Sequence, residues 1–380
     1  MKLDPVRSAL PLSWALSLAL LAGGCGGDDS FHPGEPILFG PEGNRLHVFS
    51  TGENPTTQLL IPSAADAPGT GRDINGQICF QRGTHRFISG EDTGQPNPPP
   101  SFGFFELEGS MVGSLGWRQI GRLTPTFQGE PGPEGVPDTA DPYGCGFLSD
   151  GRLVTTDIGN TASGPGTGQL IIWFPPLDDP SPRFCKLDIG IGTAQGIYVD
   201  DEDRVHVASA RVEPGIWRYS PPFPTGPDAA GGCGRVDSTG APLADGVAKE
   251  VFIPADENVP TPNGVAASPS GTIYVSSILN GVIAEYDASG RYLRRILEPP
   301  AGEALGPEPY STGSPLGIAV DSRGTLYYAD LGLVLRGGDI GPGPNTGSIR
   351  RIRFDSDQPR APETLFAPGQ FPDGVGLFMP

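Results

Sequence analysis

The chain has 380 residues, among them 57 glycines and 44 prolines, and a formal net charge of −19. An acidic chain with only three lysines (Lys2, Lys186 and Lys249) and no basic stripe is a poor partner for nucleic acid or an anionic membrane surface. The acidity is compatible with cation binding, although solubility explains it about as well. Glycine and proline alternate with short apolar runs, and no stretch of 12 or more residues beyond the N-terminus has helical periodicity. An all-β fold is therefore expected.

The N-terminus has the pattern of an export signal. Lys2 and Arg7 supply positive charge, and the apolar region from Leu10 to Ala22 is too short for a comfortable transmembrane helix. The sequence Leu-Ala-Gly-Gly-Cys follows at 21–25. Small residues directly before a cysteine resemble the bacterial lipobox, in which that cysteine is lipidated. An ordinary signal peptide, cut at a small-residue site, is the alternative.

The lipobox resemblance implies three expectations about the mature protein. Residues 1–24 are a signal peptide that is removed, and Cys25 is acylated and anchors the chain to the bilayer. Residues 25–34 form a flexible tether that begins Gly-Gly-Asp-Asp-Ser after Cys25. Gly26 after the cysteine favours the outer membrane, if the sorting rule of enterobacterial lipoproteins applies.

The remaining cysteines also fit export. Cys79, Cys145, Cys185 and Cys233 are an even number, as expected for disulfides in an oxidising compartment. Three connectivities are possible, and proximity in the sequence favours Cys79–Cys145 and Cys185–Cys233. A zinc site is less favoured because the sequence has no C-x-x-C and no paired histidine spacing.

One stretch shows the organisation of the rest of the chain. Residues 261–297 contain four short β-rich runs separated by Gly, Pro, Ser and Asn turn signals, which predicts a four-stranded antiparallel meander. A single sheet of this kind cannot bury both of its faces, so repetition of the pattern is expected.

The pattern recurs along the chain. Aligned on Gly264, each complete copy has a second glycine, or an acidic turn residue, seven positions later. The first glycine of each copy is Gly76, Gly144, Gly196, Gly264, Gly317 or Gly374. The intervals of 68, 52, 68, 53 and 57 residues are the size of propeller blades with long loops.

These repeats predict a single domain, a six-bladed β-propeller over residues 35–380, made of four-stranded antiparallel blades. The copy at Gly374 has only one strand, and the N-terminal region has three strand-like runs without a blade of their own. Both chain ends are therefore expected to share one closing blade. The repeat register of this blade can begin either at the C-terminal copy or at the N-terminal run that starts at Glu35. The number of blades is six in both cases, and the residue that faces the central channel is Asp373 in the first and Glu35 in the second. The likeness of Pro-Asp-Gly-Val to Pro-Asn-Gly-Val of the best-formed repeat favours Asp373.

The motif P-[NDL]-G-[IV]-A, followed by a turn and G-x-[IL]-Y-[VY], resembles NHL-repeat propellers and the gluconolactonase, senescence-marker and strictosidine-synthase-like superfamily. The resemblance covers nearly all of residues 35–380. In the lactonase branch, Glu, Asn and Asp side chains directly before the motif glycines hold a divalent cation, often calcium. The equivalent positions in this chain are Asn75, Tyr143, Gln195, Asn263, Leu316 and Asp373, with Glu35 as the substitute for the last.

The resemblance implies a calcium site formed by Asn75, Asn263 and Asp373 or Glu35. Calcium prefers oxygen ligands of this kind, and a metal there would polarise a lactone carbonyl and activate water. Leu316 departs from the pattern, and only one carboxylate is available. The alternative is that Asn and Asp before glycine fix the turn into the strand by bonding to their own backbone.

Other candidate residues have simpler explanations. Asp200 to Asp203 is an acidic run, but it occupies the turn between two strands, where solvation explains it. The four histidines (His32, His47, His85 and His206) are scattered, and no G-x-S-x-G, H-E-x-x-H, P-loop or G-x-G-x-x-G is present. The acidic residues that follow second strands would rim a pocket or simply belong to loops; they are Glu91, Asp92, Asp157 and Asp330. Trp173 and Trp217 are expected to pack between blades.

Two functions of different classes follow. The first is a lipid-anchored, cell-envelope propeller that binds a protein, a glycan or a small ligand without catalysis. The second is a calcium-dependent lactonase or esterase with its site in the central channel. Because six closed blades leave nothing that demands a second copy, a monomer is expected.

Overall fold

Short β-strands separated by tight turns make up the part of the chain that the computed structural model describes. The described residues are 35–91, 100–124, 141–159, 168–229, 232–234, 246–299, 313–336 and 339–380. The predicted signal peptide, Cys25, the predicted tether to residue 34, and Asp92 lie outside these residues. Among the described residues, no helix has the length and hydropathy needed to span a membrane.

The strands form six four-stranded antiparallel sheets, here called blades 1 to 6. Blade 1 contains β1 (Ile37–Glu42), β2 (Arg45–Ser50) and β3 (Thr57–Ile61). Blade 2 contains β4 (Ile74–Phe80), β5 (Arg86–Glu91), β6 (Ser101–Glu108) and β7 (Gly116–Leu123). Blade 3 contains β8 (Pro142–Phe147), β9 (Leu153–Asp157), β10 (Gly168–Phe174) and β11 (Arg183–Ile191).

Blade 4 contains β12 (Ala194–Val199), β13 (Val205–Ser209), β14 (Gly215–Ser220) and β15 (Ala248–Pro254). Blade 5 contains β16 (Pro262–Ala267), β17 (Ile273–Ser277), the short 3-10 helix Ile278–Asn280, β18 (Val282–Tyr286) and β19 (Tyr292–Leu297). The 3-10 helix lies in the loop between β17 and β18.

Blade 6 carries two extra hairpins that the repeat pattern does not predict. It begins with β20 (Pro315–Val320) and β21 (Leu326–Asp330), and the hairpin of β22 (Leu333–Arg336) and β23 (Asp339–Pro342) follows. The third strand is β24 (Gly347–Ile352), followed by the hairpin of β25 (Phe354–Asp355) and β26 (Gln358–Pro359). The fourth strand is β27 (Glu363–Gly369). The last strand of the chain, β28 (Gly376–Phe378), belongs to blade 1.

The two chain ends meet in blade 1. Strand β28 pairs antiparallel with β1, with Ile37 opposite Phe378 and Phe39 opposite Gly376, so the sheet order is β28-β1-β2-β3. The C-terminal strand is therefore the innermost strand of this blade. This confirms the predicted six-bladed propeller and the shared closing blade.

The motif glycines bring neighbouring inner strands into backbone contact. A Cβ placed on Gly76 would lie 2.6 Å from the carbonyl oxygen of Tyr143, and one on Gly374 would lie 1.8 Å from the carbonyl oxygen of Gly76. The same type of contact joins Gly144 to Gln195, Gly196 to Asn263, Gly264 to Leu316, and Gly317 to Asp373 and Gly374. These contacts run once around the propeller and return to their starting point, and we call them the glycine ring. A larger residue in this ring would push two blades apart.

The second glycine of each repeat has a different cause. Gly151 and Gly271 have φ angles of +86° and +85°, in the left-handed region that glycine adopts without a steric penalty. They lie in the tight turn between the first two strands of their blades. In blade 4, Asp203 takes this place with a φ of +59°, which agrees with the known tolerance of aspartate for this conformation.

A buried arginine joins blade 6 to blade 1. Arg351 on β24 is 2% exposed, and its Nη1 donates to the carbonyl oxygens of Thr51 (2.8 Å) and Gly52 (2.9 Å). Glu363 on β27 neutralises its charge at 2.8 Å. The charge-assisted hydrogen bonds add to the strand pairing that closes the propeller.

Both predicted disulfides are confirmed. Cys79–Cys145 joins β4 to β8, the inner strands of blades 2 and 3, and Cys185–Cys233 ties β11 to the segment 232–234. Two disulfides indicate an oxidising compartment outside the cytoplasm.

A substitution in the glycine ring tests the contact described above. Gly374→Ala is expected to lower the free energy of unfolding by at least about 2–3 kcal/mol, because its Cβ would overlap the backbone of Gly76. Urea unfolding measures this loss. Gly341→Ala on β23 is the control, since no atom lies within 4 Å of a Cβ at that position. Equal stability of the two variants would contradict the constraint.

Candidate functional site

The residues that precede the motif glycines form a ring at the end of the propeller where the inner strands begin, here called the upper end. Asp373 is 6% exposed and lies at this ring. Its Oδ2 accepts a hydrogen bond from the Gly76 amide at 2.9 Å, and its carbonyl oxygen accepts one from the Tyr143 hydroxyl at 2.6 Å. Burial, together with the charge of Asp373, holds the pKa of Tyr143 well above its ordinary value, so the phenol stays a donor. Asp373 thus connects blades 1, 2 and 3.

Asn263 is also bonded within the protein. Its Oδ1 accepts a hydrogen bond from the Ile278 amide at 3.0 Å, and its Nδ2 donates to Oε1 of Gln195 in blade 4. The first bond fixes the loop that follows β17. Neither bond is the contact with its own backbone that the sequence offered as the alternative to metal binding.

Asn75 differs from these two residues. Its Oδ1 is buried and has no hydrogen-bond partner among the described residues. Because the amide of the next residue, Gly76, donates to Asp373, Asn75 and Asp373 come from adjacent inner strands at the same level. Of the predicted ligands, these two are the pair that the fold brings together.

The predicted calcium ligands supply few oxygens. Calcium takes six to eight oxygen ligands, whereas this set has one carboxylate, and the amide of Asn263 already makes two bonds. Tyr143 and Leu316 occupy two of the other ring positions. Across the described ranges, no group of three or more His, Cys, Asp or Glu side chains could hold a metal ion. By themselves, the side chains of the ring supply fewer oxygens than calcium takes, and calcium binding stays a prediction.

Glu35 lies at the opposite end of the propeller, here called the lower end. Strand β1 runs antiparallel to β28, so the residue before β1 is far from the residue before β28. The carboxylate of Glu35 is 3.7 Å from Arg323, which lies in the turn between β20 and β21. Asp373, and not Glu35, is therefore the residue of blade 1 at the upper ring.

An apolar cluster lies at the upper ring. Tyr143 and Leu316, which are ring residues, pack with Leu331 and Leu333 in the segment that follows β21. Ile158 and Ile278, which follow the second strands of blades 3 and 5, pack against them. We call these six residues the apolar cap. They give the upper end of the ring an apolar character on the side of blades 3, 5 and 6.

The acidic residues at the ends of second strands fix loops and pair with arginines. Oδ1 of Asp157 accepts hydrogen bonds from the amides of residues 141 and 159, both at 2.9 Å. Asp330 accepts from the Ser314 amide at 2.7 Å and pairs with Arg350 at 3.2 Å. Glu91 pairs with Arg122 at 3.0 Å. All three carboxylates are 1% exposed, which agrees with loop positioning and not with an open pocket rim.

A cleft of about 240 Å³ opens at the lower end between blades 4 and 5. Its wall in blade 4 comes from β12, β13, β14 and the turn between β12 and β13, and its wall in blade 5 comes from β16, β17 and two turns. The lining residues are Tyr198, Asp200, Asp201, Glu202, Arg204, His206, Arg218, Ala267, Gly271, Ile273 and Ala288. Seven of these eleven lining residues carry polar or charged side chains.

Asp200 organises the blade 4 side of the cleft. It is 8% exposed, and its Oδ1 accepts hydrogen bonds from the backbone amides of Glu202 and Arg204. Its Oδ2 bonds to the Arg204 Nε at 2.6 Å and to the His206 Nε2 at 3.1 Å. Burial favours the neutral acid, but the hydrogen bonds from His206 and Arg204 outweigh it and lower the pKa of Asp200 to about 2. The carboxylate is therefore charged at neutral pH.

His206 stands behind this network in the middle of β13. It is 2% exposed, and its ring lies between the rings of Tyr198 (5.5 Å between centroids) and Phe252 (5.0 Å). Its Nδ1 is buried without a hydrogen-bond partner among the described residues. His206 therefore makes a side-chain hydrogen bond through Nε2 and none through Nδ1 among the described residues, so its hydrogen-bonding groups are only partly satisfied.

The acidic run at 200–203 is not a uniform solvated turn. Asp201 fits that expectation, since its side chain is 93% exposed and faces Arg82 at 3.3 Å. Asp200 does not, because it is buried and bonded to two basic side chains. Asp203 reaches into blade 3, where it accepts from the Ser149 amide at 2.7 Å. The cleft itself could not be found from the repeat pattern, because two neighbouring blades form it.

No protein-family model and no curated protein matches the sequence. A chain in the crystal structure of a nidogen/laminin complex aligns with 90% of this chain and 98% of its own length, at 13% identity and a TM-score of 0.52. A protein of unknown function from Bacteroides caccae covers the same shares at 11% identity and a TM-score of 0.48. A calcium-binding protein, regucalcin, from Agrobacterium tumefaciens covers 78% of this chain and 77% of its own, at 14% identity and a TM-score of 0.44.

At this level of identity, the first alignment shows a common fold and nothing more. Together with the sheet order, it defines the class to which the chain belongs, the six-bladed β-propellers.

The low pKa of Asp200 predicts how stability depends on pH. A carboxylate whose folded pKa is lowered contributes stability above its unfolded value of about 3.9, and this is lost as the pH falls through about 2. Asp200→Asn is expected to cost on the order of 1–2 kcal/mol at pH 6 and less at pH 2. Urea unfolding at both pH values measures the difference. Asp201→Asn, at an exposed position of the same turn, is the control. A cost that is equal at both pH values would contradict the assignment.

Proposed function

We propose that this protein is a lipid-anchored propeller of the cell envelope that acts as a binding module and not as a hydrolase. The observation that carries the proposal is the state of the upper ring. Tyr143 and Leu316 belong to the apolar cap, Asn263 is bonded to blade 4 and to its own loop, and Asp373 is bonded to blade 2. Except for Asn75, the side chains that would serve a channel-centred hydrolase instead hold blades together.

The position in the cell rests on the N-terminal pattern and the disulfides. The two disulfides require an oxidising compartment. Acylation of Cys25 would hold the propeller at the membrane, and the tether of residues 25–34 would let it reach a partner. The partner is a protein, a glycan or a small molecule at the envelope, and the propeller acts as a monomer.

The alternative function is a calcium-dependent lactonase with Asn75, Asn263 and Asp373 around the ion. The buried Oδ1 of Asn75 favours it, because an unsatisfied buried oxygen beside the Asp373 carboxylate is a feature that a cation would satisfy. A divalent cation there would polarise the carbonyl of a lactone and lower the pKa of a bound water.

Calcium dependence separates the two functions. We expect the purified protein to have the same melting temperature with CaCl2 and with EDTA, and to leave γ-butyrolactone intact under both conditions. Differential scanning calorimetry measures the melting temperature, and a pH-stat assay measures hydrolysis. Hydrolysis that EDTA abolishes, and that Asn75→Ala or Asp373→Asn lowers by more than tenfold, would overturn the binding module. Asp355→Asn on β25, an exposed partner of Arg360, is the control.

The lipid anchor is tested separately. We expect the full-length protein, expressed in a Gram-negative host, to sediment with the membrane fraction and to incorporate radiolabelled palmitate. Cys25→Ser should abolish both, because the acyl chains supply the membrane affinity. A Cys25→Ser variant that remains in the membranes would contradict acylation at this residue. The variant leaves the four disulfide cysteines unchanged, so its folding provides the control.

A further inference from the structure

We propose that the cleft between blades 4 and 5 binds a neutral sugar residue of a saccharide. The inference deepens the proposed function and rests on it, since it names the site and the ligand class of the binding module. Three properties of the cleft lead to it: the pairing of its arginines with carboxylates, its mixture of hydrogen-bond donors and acceptors, and its apolar floor.

The two arginines that line the cleft are already paired with carboxylates. Arg204 donates from Nε to Asp200 (2.6 Å) and from Nη2 to Glu202 (2.7 Å). Arg218 donates from Nε to Glu250 at 2.8 Å. Neither guanidinium therefore offers the uncompensated charge with which arginine recognises carboxylate or phosphate. In a chain with a net charge of −19, the cleft is unsuited to an anion.

Polar atoms nevertheless remain for a ligand. Nη1 of Arg204, Nη1 of Arg218 and the hydroxyl of Tyr198 make no hydrogen bond within the described residues, and they supply donors. Oε1 of Glu202, whose side chain is 69% exposed, supplies an acceptor. Burial raises the pKa of Tyr198, aided by the charge of Asp200, so its hydroxyl keeps its proton. A sugar hydroxyl both donates and accepts, and so matches a mixed set of this kind.

The remaining surface of the cleft is apolar. Ala267, Ile273 and Ala288 come from blade 5, and the half-buried ring of Tyr198 faces them from blade 4. Sugars carry a face of C–H groups that packs on such a surface, whereas the hydroxyls at the edge meet the polar rim. The volume of about 240 Å³ is below the roughly 300–1,000 Å³ of pockets that enclose drug-sized ligands, which suits a single sugar residue.

The walls of the cleft are held in place before any ligand arrives. The guanidinium of Arg218 lies 4.3 Å from the centre of the Phe252 ring, and that ring packs against His206. Asp200 holds Arg204 and His206 together, as described above. A rigid wall lowers the entropic cost of binding, which matters for a small polar ligand that buries little surface. The buried, unpartnered Nδ1 of His206 is one further polar atom in this wall.

Binding of defined sugars tests the proposal. The purified protein is titrated by calorimetry with neutral disaccharides of glucose, galactose, mannose and N-acetylglucosamine, and with sodium glucuronate and sodium acetate. At least one neutral disaccharide is expected to bind saturably, and more tightly than either anion. No saturable binding of any disaccharide, or tighter binding of an anion, would overturn the proposal.

Variants locate the binding. Tyr198→Phe, which keeps the ring and removes the hydroxyl, and Arg204→Met are each expected to weaken binding at least tenfold. Arg291→Met is the matched control. Arg291 makes the same contact to Asp287 (2.9 Å) that Arg204 makes to Asp200, but it does not line the cleft. Equal affinity in all three variants would place the sugar elsewhere and overturn the site.

The sugar titration and the calcium-dependence experiment test the two proposals separately. Calcium-dependent hydrolysis would overturn the proposed function whether or not a sugar binds. Failure of every disaccharide, in the absence of hydrolysis, overturns only the site and ligand class that are named here.

Discussion

The backbone contact in the glycine ring is the constraint on which the rest of this propeller depends. Each inner strand approaches its neighbour so closely that the residue at the contact has no room for a Cβ, and six contacts return to the first blade. The ring closes only because β28 supplies the sixth inner strand and pairs with β1. The pairing of β28 with β1 in blade 1 joins the two chain ends, and the buried Arg351 of blade 6 adds hydrogen bonds to the residues that follow β2.

The same closeness determines what the upper ring can do. Where inner strands touch, the residue before each glycine meets groups of the neighbouring blade, and Asp373, Tyr143 and Asn263 all use their polar atoms in this way. Leu316 contributes packing. The ring positions serve mainly to join blades, with Asn75 as the residue whose side-chain oxygen has no hydrogen-bond partner among the described residues.

The lower end of the propeller follows a different rule. Tight turns alternate with the interfaces between blades, so side chains from two blades can border one space. Asp200 is central there because its carboxylate fixes its own turn and also holds Arg204 and His206. The result is a cleft that opens toward solvent and whose arginines are held by carboxylates, and this is the basis for assigning a sugar to it.

Several features of the sequence were sufficient to predict the structure. The spacing of the motif glycines predicted six blades. Glycine permits the close approach of inner strands, and it adopts without penalty the left-handed turn seen at Gly151 and Gly271. The unpaired copy at Gly374 predicted the closing blade, since a lone strand must find partners. The separation of the cysteines favoured the pairing that is observed, because short loops are the easiest to close.

By itself, then, the sequence determined the fold and the closure, because both depend on local backbone geometry that repeats. For the disulfides, it only favoured the observed pairing among three. It could not show that the Asn263 side chain bonds to the Ile278 amide in its own blade and to Gln195 one blade away. Nor could it bring Tyr198, Arg218 and Ile273 to one cleft, or add β22 and β23 to blade 6. Only the tertiary structure decided these points, because contacts between blades depend on loop lengths and side-chain packing, which carry no periodic signal.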